Sequence, residues 1–328
     1  MADALRSAPV ARARPEHPLI SVVVPVLDEA ECVAELARRV LAALRGTGAR
    51  AELLFVDDGS RDATPDRIAK LRAADRDVKA IRFTRSFGHQ AALAAGLRFA
   101  RGDAVITMDG DLQHPPELLP ELVEAWRSGA DVVHTVRRDP VGRGAAGRER
   151  AGRLFYALLN RVSATPVVPA GADFRLLDRR VVDAFNDLTE HFVFVRGLVP
   201  WLGFPEARVD YTVQERFAGT PKYRLRPMLR LALDGILSFS VWPLRLIGLF
   251  GAATAVFGVL FGIFALVAQA TGHVRASGWT SLVVLVLIFG GVQLLSLGVV
   301  SEYVGRTYEE VKRRPRYVID RVEGVEWP

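Results

Sequence analysis

The chain has 328 residues, half of them hydrophobic, with a formal net charge of +6 and a mean hydropathy of +0.18. That length accommodates one large domain plus a further segment, and the hydropathy is high for a soluble enzyme. A single cysteine, Cys32, excludes an internal disulfide and a multi-cysteine zinc site. No basic patch is interleaved with aromatic residues in a nucleic-acid pattern, so the positive balance suits phosphate ligands or an anionic membrane face.

Residues 1–18 have no apolar core of signal-peptide length and are expected to form a loose tail. From there short apolar runs alternate with amphipathic stretches. Strands are expected at Ile20–Val24, Glu52–Val56, Val78–Phe83, Ala104–Met108 and Asp131–Val136. Helices are expected at Ala30–Leu44, Pro65–Ala73, His89–Ala100 and Pro116–Trp126. This rhythm predicts right-handed βαβ units in a mostly parallel sheet, with ligands at the carboxyl ends of the strands.

Three of those ends carry turn or acidic chemistry: "VPVLDEAE", "VDDGSRDAT" and "MDGDLQ". In the third, Asp109 and Asp111 directly follow an apolar run. Two carboxylates so close repel unless a cation lies between them or one is protonated. With Gln113 they offer the hard oxygen ligands that Mg²⁺ or Mn²⁺ accepts alongside substrate phosphates. A capped turn ahead of a helix opened by Pro115-Pro116 is the alternative. The loop after the fifth strand, "RRDPVGRGAAGRERAGR", could deliver Arg137, Arg138, Arg143, Arg148 and Arg150 to an anion, or be a solvated basic loop. Its Gly142-x-Gly144-x-x-Gly147 string follows the fifth strand and not the first, which disfavours a dinucleotide fingerprint.

Between Tyr223 and Phe239, Leu225, Met228, Leu229, Ala232 and Ile236 share one helical face, and Arg226, Arg230 and Asp234 another. An amphipathic helix lying in a membrane interface gives this pattern; packing on the sheet domain would give it too. Ile247–Ala268 and Thr280–Ser301 are each twenty-two residues long without Asp, Glu, Lys or Arg. At 1.5 Å per residue each spans roughly 33 Å, enough to cross a bilayer. The short connection contains one arginine, Arg275, whereas Lys222, Arg224, Arg226, Arg230 and Arg245 precede the pair, and Arg306, Lys312, Arg313, Arg314 and Arg316 follow it. Positive-inside bias therefore predicts a multi-pass protein of the cytoplasmic (inner) membrane, with both termini cytoplasmic. The expected divisions are a tail over 1–18, a sheet domain over 19–222, a juxtamembrane helix over 223–242, the hairpin over 243–302 and a cytoplasmic tail over 303–328.

Taken together, "SVVVPVLDEAE", "LLFVDDGSRDAT", "FGHQAALAAGLRFARGD", "MDGDLQHPPEL", "GADFRLLDRR", "VRGLVPWLGF" and "RFAGTPKYRL" resemble family 2 inverting glycosyltransferases. The resemblance is strongest to membrane-anchored polyprenyl-phosphate glycosyltransferases and spans roughly residues 20 to 318. It implies a GT-A-like α/β domain, a nucleotide-sugar donor, a polyprenyl-phosphate acceptor, Mg²⁺ or Mn²⁺, and self-association into a homo-oligomer. Pro25, Glu29, Val56 and Asp58 match positions lining the base and ribose, with Leu27 and Gly110 counted among the nucleotide-sugar contacts. Asp109, Asp111 and Gln113 match positions around the metal and diphosphate, and Asp173 an aspartate near the sugar. Arg137 lies where the family binds acceptor phosphate, Arg150 is grouped with it, and Arg216 and Lys222 match a basic loop closing over the site. Asp28 replaces the commoner asparagine before Glu29, and Pro221 the usual serine before Lys222.

The implied reaction is displacement at the anomeric carbon by a phosphate oxygen. A phosphate monoester has a second pKa of about 6, so it has little need of a general base. Arginine and lysine would admit it to a crowded acidic site through charge-assisted hydrogen bonds. Asp111, Asp173 and Arg216 are the residues expected to carry the chemistry, Asp173 by positioning or electrostatics; its alternative is a turn residue ahead of Phe174. UDP-glucose is the first choice of donor and GDP-mannose the second. A processive polysaccharide synthase is disfavoured by the two spans and the lack of a Gln-x-x-Arg-Trp motif. A tethered nucleotide-sugar sensor would have no need of acceptor-side arginines.

Overall fold

The computed structural model describes residues 14–138, 171–190, 193–212, 242–271 and 278–327. The expected juxtamembrane helix over 223–242 lies almost wholly outside them. The described residues fall into two compact units, one built from residues up to 212 together with 315–327, the other from two long helices.

The first unit is an eight-stranded mixed sheet flanked by helices. In chain order it runs β1 (Leu19–Val26), α1 (Val33–Arg45), β2 (Arg50–Asp57), α2 (Thr64–Ala74), β3 (Val78–Phe83), α3 (His89–Phe99) and β4 (Ala104–Thr107). A 3₁₀ turn (Pro116–Leu118) leads into α4 (Leu119–Arg127), then β5 (Val132–Arg138), β6 (Gly171–Asp178), α5 (Arg179–Asn186), α6 (Val195–Trp201) and β7 (Glu206–Thr212). The sheet is completed from the far end of the chain by β8 (Ile319–Glu323). The strand order is β7-β5-β6-β4-β1-β2-β3-β8. Strands β1 to β4 run parallel in their pairings with one another, whereas β6 and β8 run antiparallel to their neighbours.

The central strand β1 reads LISVVVPV and is buried on both faces, as a parallel strand between helical layers must be. Val22 and Val24 face the cluster containing Leu36, Val40 and Leu44 of α1 and Leu122 and Trp126 of α4. Those α1 residues recur at helical spacing, so one stripe of the helix covers the sheet. Val23 points to the opposite face, where α3 crosses so closely that a Cβ on Gly96 would lie 2.1 Å from a Val23 methyl. A glycine is required there. All five expected strands and four expected helices are present, with boundaries shifted by a few residues.

Two terminal segments are better fixed than their composition suggests. Arg14, in the stretch expected to be loose, pairs with Asp131 at 2.8 Å and with Asp178, and lies over the Trp126 ring. The tail expected over 303–328 divides into a helical continuation and a strand. β8 joins the edge of β3, Tyr317 stacks on Phe83 with ring centroids 5.0 Å apart, and Arg72 pairs with Glu323.

The second unit consists of α7 (Trp242–Ala270) and α8 (Trp279–Lys312). Each contains a window apolar enough to cross a membrane, with mean hydropathy 2.2 and 2.3 and no burial inside the protein. Helices apolar all round and uncovered by protein seek lipid. The last turns of α8 change character, with Glu302–Arg306 and Glu309–Lys312 pairs along its surface.

Candidate active site

The carboxyl ends of β1, β2 and β4 open onto a cavity of about 470 Å³. Pro25, Leu27, Glu29, Asp58, Asp109, Gly110, Asp111 and Asp173 line it, together with His89 and Arg196. The acidic turn grows directly out of β4. The Asp109 amide donates to Nδ1 of His114 at 3.1 Å, and the Gln113 amide to Oδ1 of Asp111 at 3.2 Å. His114 is buried and stacks on Phe174, so it closes the turn from below. Between the acidic residues and Gln113, Leu112 is buried with φ +61°. A left-handed backbone at a non-glycine costs of order 1–3 kcal/mol, and such strain persists only where surrounding packing enforces it. Here it turns Asp109 and Asp111 toward one space.

Asp173 projects from β6 beyond the end of β4 and is 3% exposed. Arg196 of α6 grips it with two bonds, Nε to Oδ1 at 2.8 Å and an Nη to Oδ2 at 2.9 Å. Arg175 adds a contact at 3.3 Å, and Nε2 of His89 lies 3.3 Å from Oδ2. Burial alone would raise the Asp173 pKa; the bonds from His89 and Arg196 and the two arginine charges overcome it and hold the carboxyl far below the usual range. A carboxylate so stabilised is a poor proton acceptor. His89 also lies 3.5 Å from Asp109, which links the buried carboxylate to the acidic turn. Burial works against a charge on His89, yet Asp173 and Asp109 hold its pKa above that of ordinary imidazole.

Asp58 is 3% exposed and spends its oxygens on the protein itself. It accepts from the Ser86 hydroxyl at 2.7 Å, the Phe87 amide at 2.7 Å and the Gly88 amide at 3.0 Å. Its structural work is to fold the β3–α3 loop over the cavity. Val56 is fully buried in β2 and does not line the cavity. Gln113 sits beside the turn outside the lining. Arg137 is the last residue but one of β5, where its backbone pairs with Tyr211. Its side chain, and the whole of Arg150, Arg216 and Lys222, lie outside the described residues.

Arg196 went unassigned at the level of sequence, although it belongs to the "VRGLVPWLGF" block. Nothing local marks it, because its partner is twenty-three positions away on another element.

Among the described residues no three His, Cys, Asp or Glu side chains gather into a closed metal cage. The acidic pair nonetheless fits Mg²⁺ or Mn²⁺ bound together with a phosphorylated ligand, which needs only one or two carboxylates from the protein.

Residues 21–185 match the model of glycosyl transferase family 2. Glycosyltransferase YkcC of Bacillus subtilis is 40% identical over 94% of this chain and 96% of its own. The prophage bactoprenol glucosyl transferase homolog of Escherichia coli is 38% identical over 93% and 99%, and the bactoprenol glucosyl transferase of Shigella phage SfII 40% over 92% and 97%. A structure of Mycobacterium tuberculosis glucosyl-3-phosphoglycerate synthase with Mn²⁺, UDP and glucosyl-3-phosphoglycerate aligns with 67% of this chain and 79% of that one, at 24% identity and TM-score 0.46. The mostly parallel sheet, the strand-end site and the sequence match lead to one assignment: the chain belongs to glycosyl transferase family 2.

Proposed function

We propose that this glycosyltransferase moves a hexose from a nucleotide sugar to polyprenyl phosphate with inversion, UDP-glucose being the favoured donor and GDP-mannose the alternative. The product would serve cell-envelope glycan or glycoprotein modification. The observation that carries the reading is the division of labour among carboxylates. Asp109 and Asp111 face the cavity together, whereas Asp173 is already neutralised by Arg196, Arg175 and His89. The pair suits a metal and diphosphate, and the third is poorly suited to remove a proton. An acceptor that arrives deprotonated matches such a site, and a phosphate monoester with a second pKa of about 6 does so at neutral pH.

In the reaction an acceptor phosphate oxygen bonds to the anomeric carbon as the bond from that carbon to the donor diphosphate breaks. Nucleoside diphosphate leaves with the electron pair. Asp109 and Asp111 would hold Mg²⁺ or Mn²⁺ with Gln113 beside them; when bound, the ion stabilises charge on the leaving diphosphate. Asp173 would orient the sugar from a fixed position. Arg137, Arg150, Arg216 and Lys222 are proposed for the acceptor phosphate, with Arg216 closing over the reacting atoms.

The pairing of β8 with β3 supports the membrane topology. Chain on both sides of the helical pair belongs to one folded unit, so two crossings return it to the side it left. With the basic flanks, this favours the cytoplasmic side of the inner membrane for the catalytic unit and both termini. A homo-oligomer is part of the same proposal. The test is a panel of radiolabelled nucleotide sugars incubated with membranes and polyprenyl phosphate, followed by analysis of the lipid product. A labelled polyprenyl-phosphate sugar is expected from one donor, UDP-glucose first; no lipid product from any donor would overturn the proposal.

A further inference from the structure

A second and larger cavity, of about 630 Å³, lies beside the acidic one and shares Leu27 with it. Its walls come from the β2–α2 turn, the end of β3 and, unexpectedly, the C-terminal strand through Asp320. The way Asp320 reaches it is specific. Arg321 pairs with Arg82 and Ile319 with Phe83, so Asp320 is the extra residue of a bulge in β8. Bulges re-aim a side chain and occur disproportionately beside functional sites.

The turn opposite is built with equal economy of space. Gly59 has φ +80°, and a Cβ there would fall 2.7 Å from the Arg85 backbone. Asp28 accepts from the Arg61 amide at 2.8 Å, and its own amide donates to the Ser60 hydroxyl at 3.0 Å, so the two loops that frame the cavity are laced together.

The lining mixes donors with acceptors. Arg61 and Arg85 are exposed, Arg85 lying over the Phe87 ring. Arg82 is engaged with Asp57 at 3.4 Å. Asp28 and Asp320 are exposed carboxylates, the latter 3.6 Å from its neighbour Arg321. A polyanion would meet repulsion from both carboxylates. A nucleobase, whose edge carries N–H donors and carbonyl acceptors on a flat apolar ring, suits all of these groups. Leu27, exposed on the rim common to both cavities, offers a surface for such a ring. Asp58, expected among the residues lining the base and ribose, faces the acidic cavity and also accepts from three donors of the β3–α3 loop.

We infer that this second cavity receives the base of the donor nucleotide, and that Asp320, supplied by the segment beyond the apolar helices, sets which base is preferred. This rests on the nucleotide-sugar reading of the acidic cavity.

The test is calorimetric binding of UDP, GDP, CDP and ADP, each with Mn²⁺, to the full chain in detergent, for the wild type, Asp320→Ala, Asp320→Asn and Arg61→Ala. The wild type is expected to prefer one base, and Asp320→Ala to compress that preference by about tenfold, the worth of one lost hydrogen bond to a charged group. Damage to the fold alone would weaken all four nucleotides by one common factor. Wild-type binding with base ratios unchanged in every variant overturns the inference by itself. A wild type that binds no nucleoside diphosphate overturns the donor reading, and the inference with it.

Discussion

Arg196→Ala is the most exacting perturbation of this site. It removes both bonds that Arg196 makes to Asp173 and leaves the buried carboxylate with Arg175 and His89, each at 3.3 Å. Breaking an isolated buried ion pair costs about 3–5 kcal/mol. Arg196 is 34% exposed and two partners remain, so about 1.5–3 kcal/mol is the appropriate range, that of a charge-assisted hydrogen bond. For a domain of this size that is a Tm loss of roughly 3–12 °C. The pH dependence follows from the direction of the Asp173 shift. Its folded pKa is depressed, so its contribution is complete above the unfolded aspartate value of about 3.9 and is lost as pH falls toward the folded value. The Tm gap between wild type and variant should therefore be widest near neutrality and shrink below about pH 4. Differential scanning fluorimetry of the detergent-purified chain across pH measures it. A gap that is absent at pH 7, or that widens in acid, would refute the account of Asp173 as a carboxylate held in place by cations.

Other consequences are more local. Asp111→Asn removes charge from the acidic turn while leaving the sheet intact, so turnover should fall on the order of 10²-fold or more with Tm nearly unchanged; near-normal turnover would count decisively against a metal-assisted reaction. Cys32 is buried, and desolvation with the nearby Glu29 charge pushes its thiol up to about 11, so the folded protein should resist iodoacetamide at pH 8 and react promptly once unfolded. That quiet background permits a topology test: Ser277→Cys should label from outside intact cells and Lys312→Cys should not, and the reverse pattern would sink the proposed orientation.

How much of this was legible in the sequence depended on how locally each feature is determined. β1 to β5 are apolar runs bounded by turns, and their burial follows from composition alone. β6 escaped notice because Asp173 and Arg175 are both buried within it, interrupting the pattern; their charges are tolerable only because the fold brings them together with Arg196. β7 and β8 occupy the two edges and are largely polar, as edges tend to be, so "EARVDYT" and "IDRVE" lack a strand's usual signature. β8 is also separated from β3 by more than two hundred residues and both apolar helices, a pairing no local pattern announces. The acidic turn was readable because two carboxylates at that spacing raise an electrostatic question by themselves. What its neighbours do besides was not: Asp58 lines the cavity and also holds the β3–α3 loop through three donors, a second task that no local pattern announces.

The central claim is that this site transfers sugar to an oxygen that arrives already ionised. It is tested most directly by supplying the wild-type chain with its donor and either polyprenyl phosphate or the unphosphorylated polyprenol of equal length, and measuring labelled lipid at pH 7. Product is expected from the phosphate and none above background from the alcohol, because Asp173 is bound too tightly by Arg196 and His89 to take a hydroxyl proton. Comparable transfer to the alcohol would contradict it.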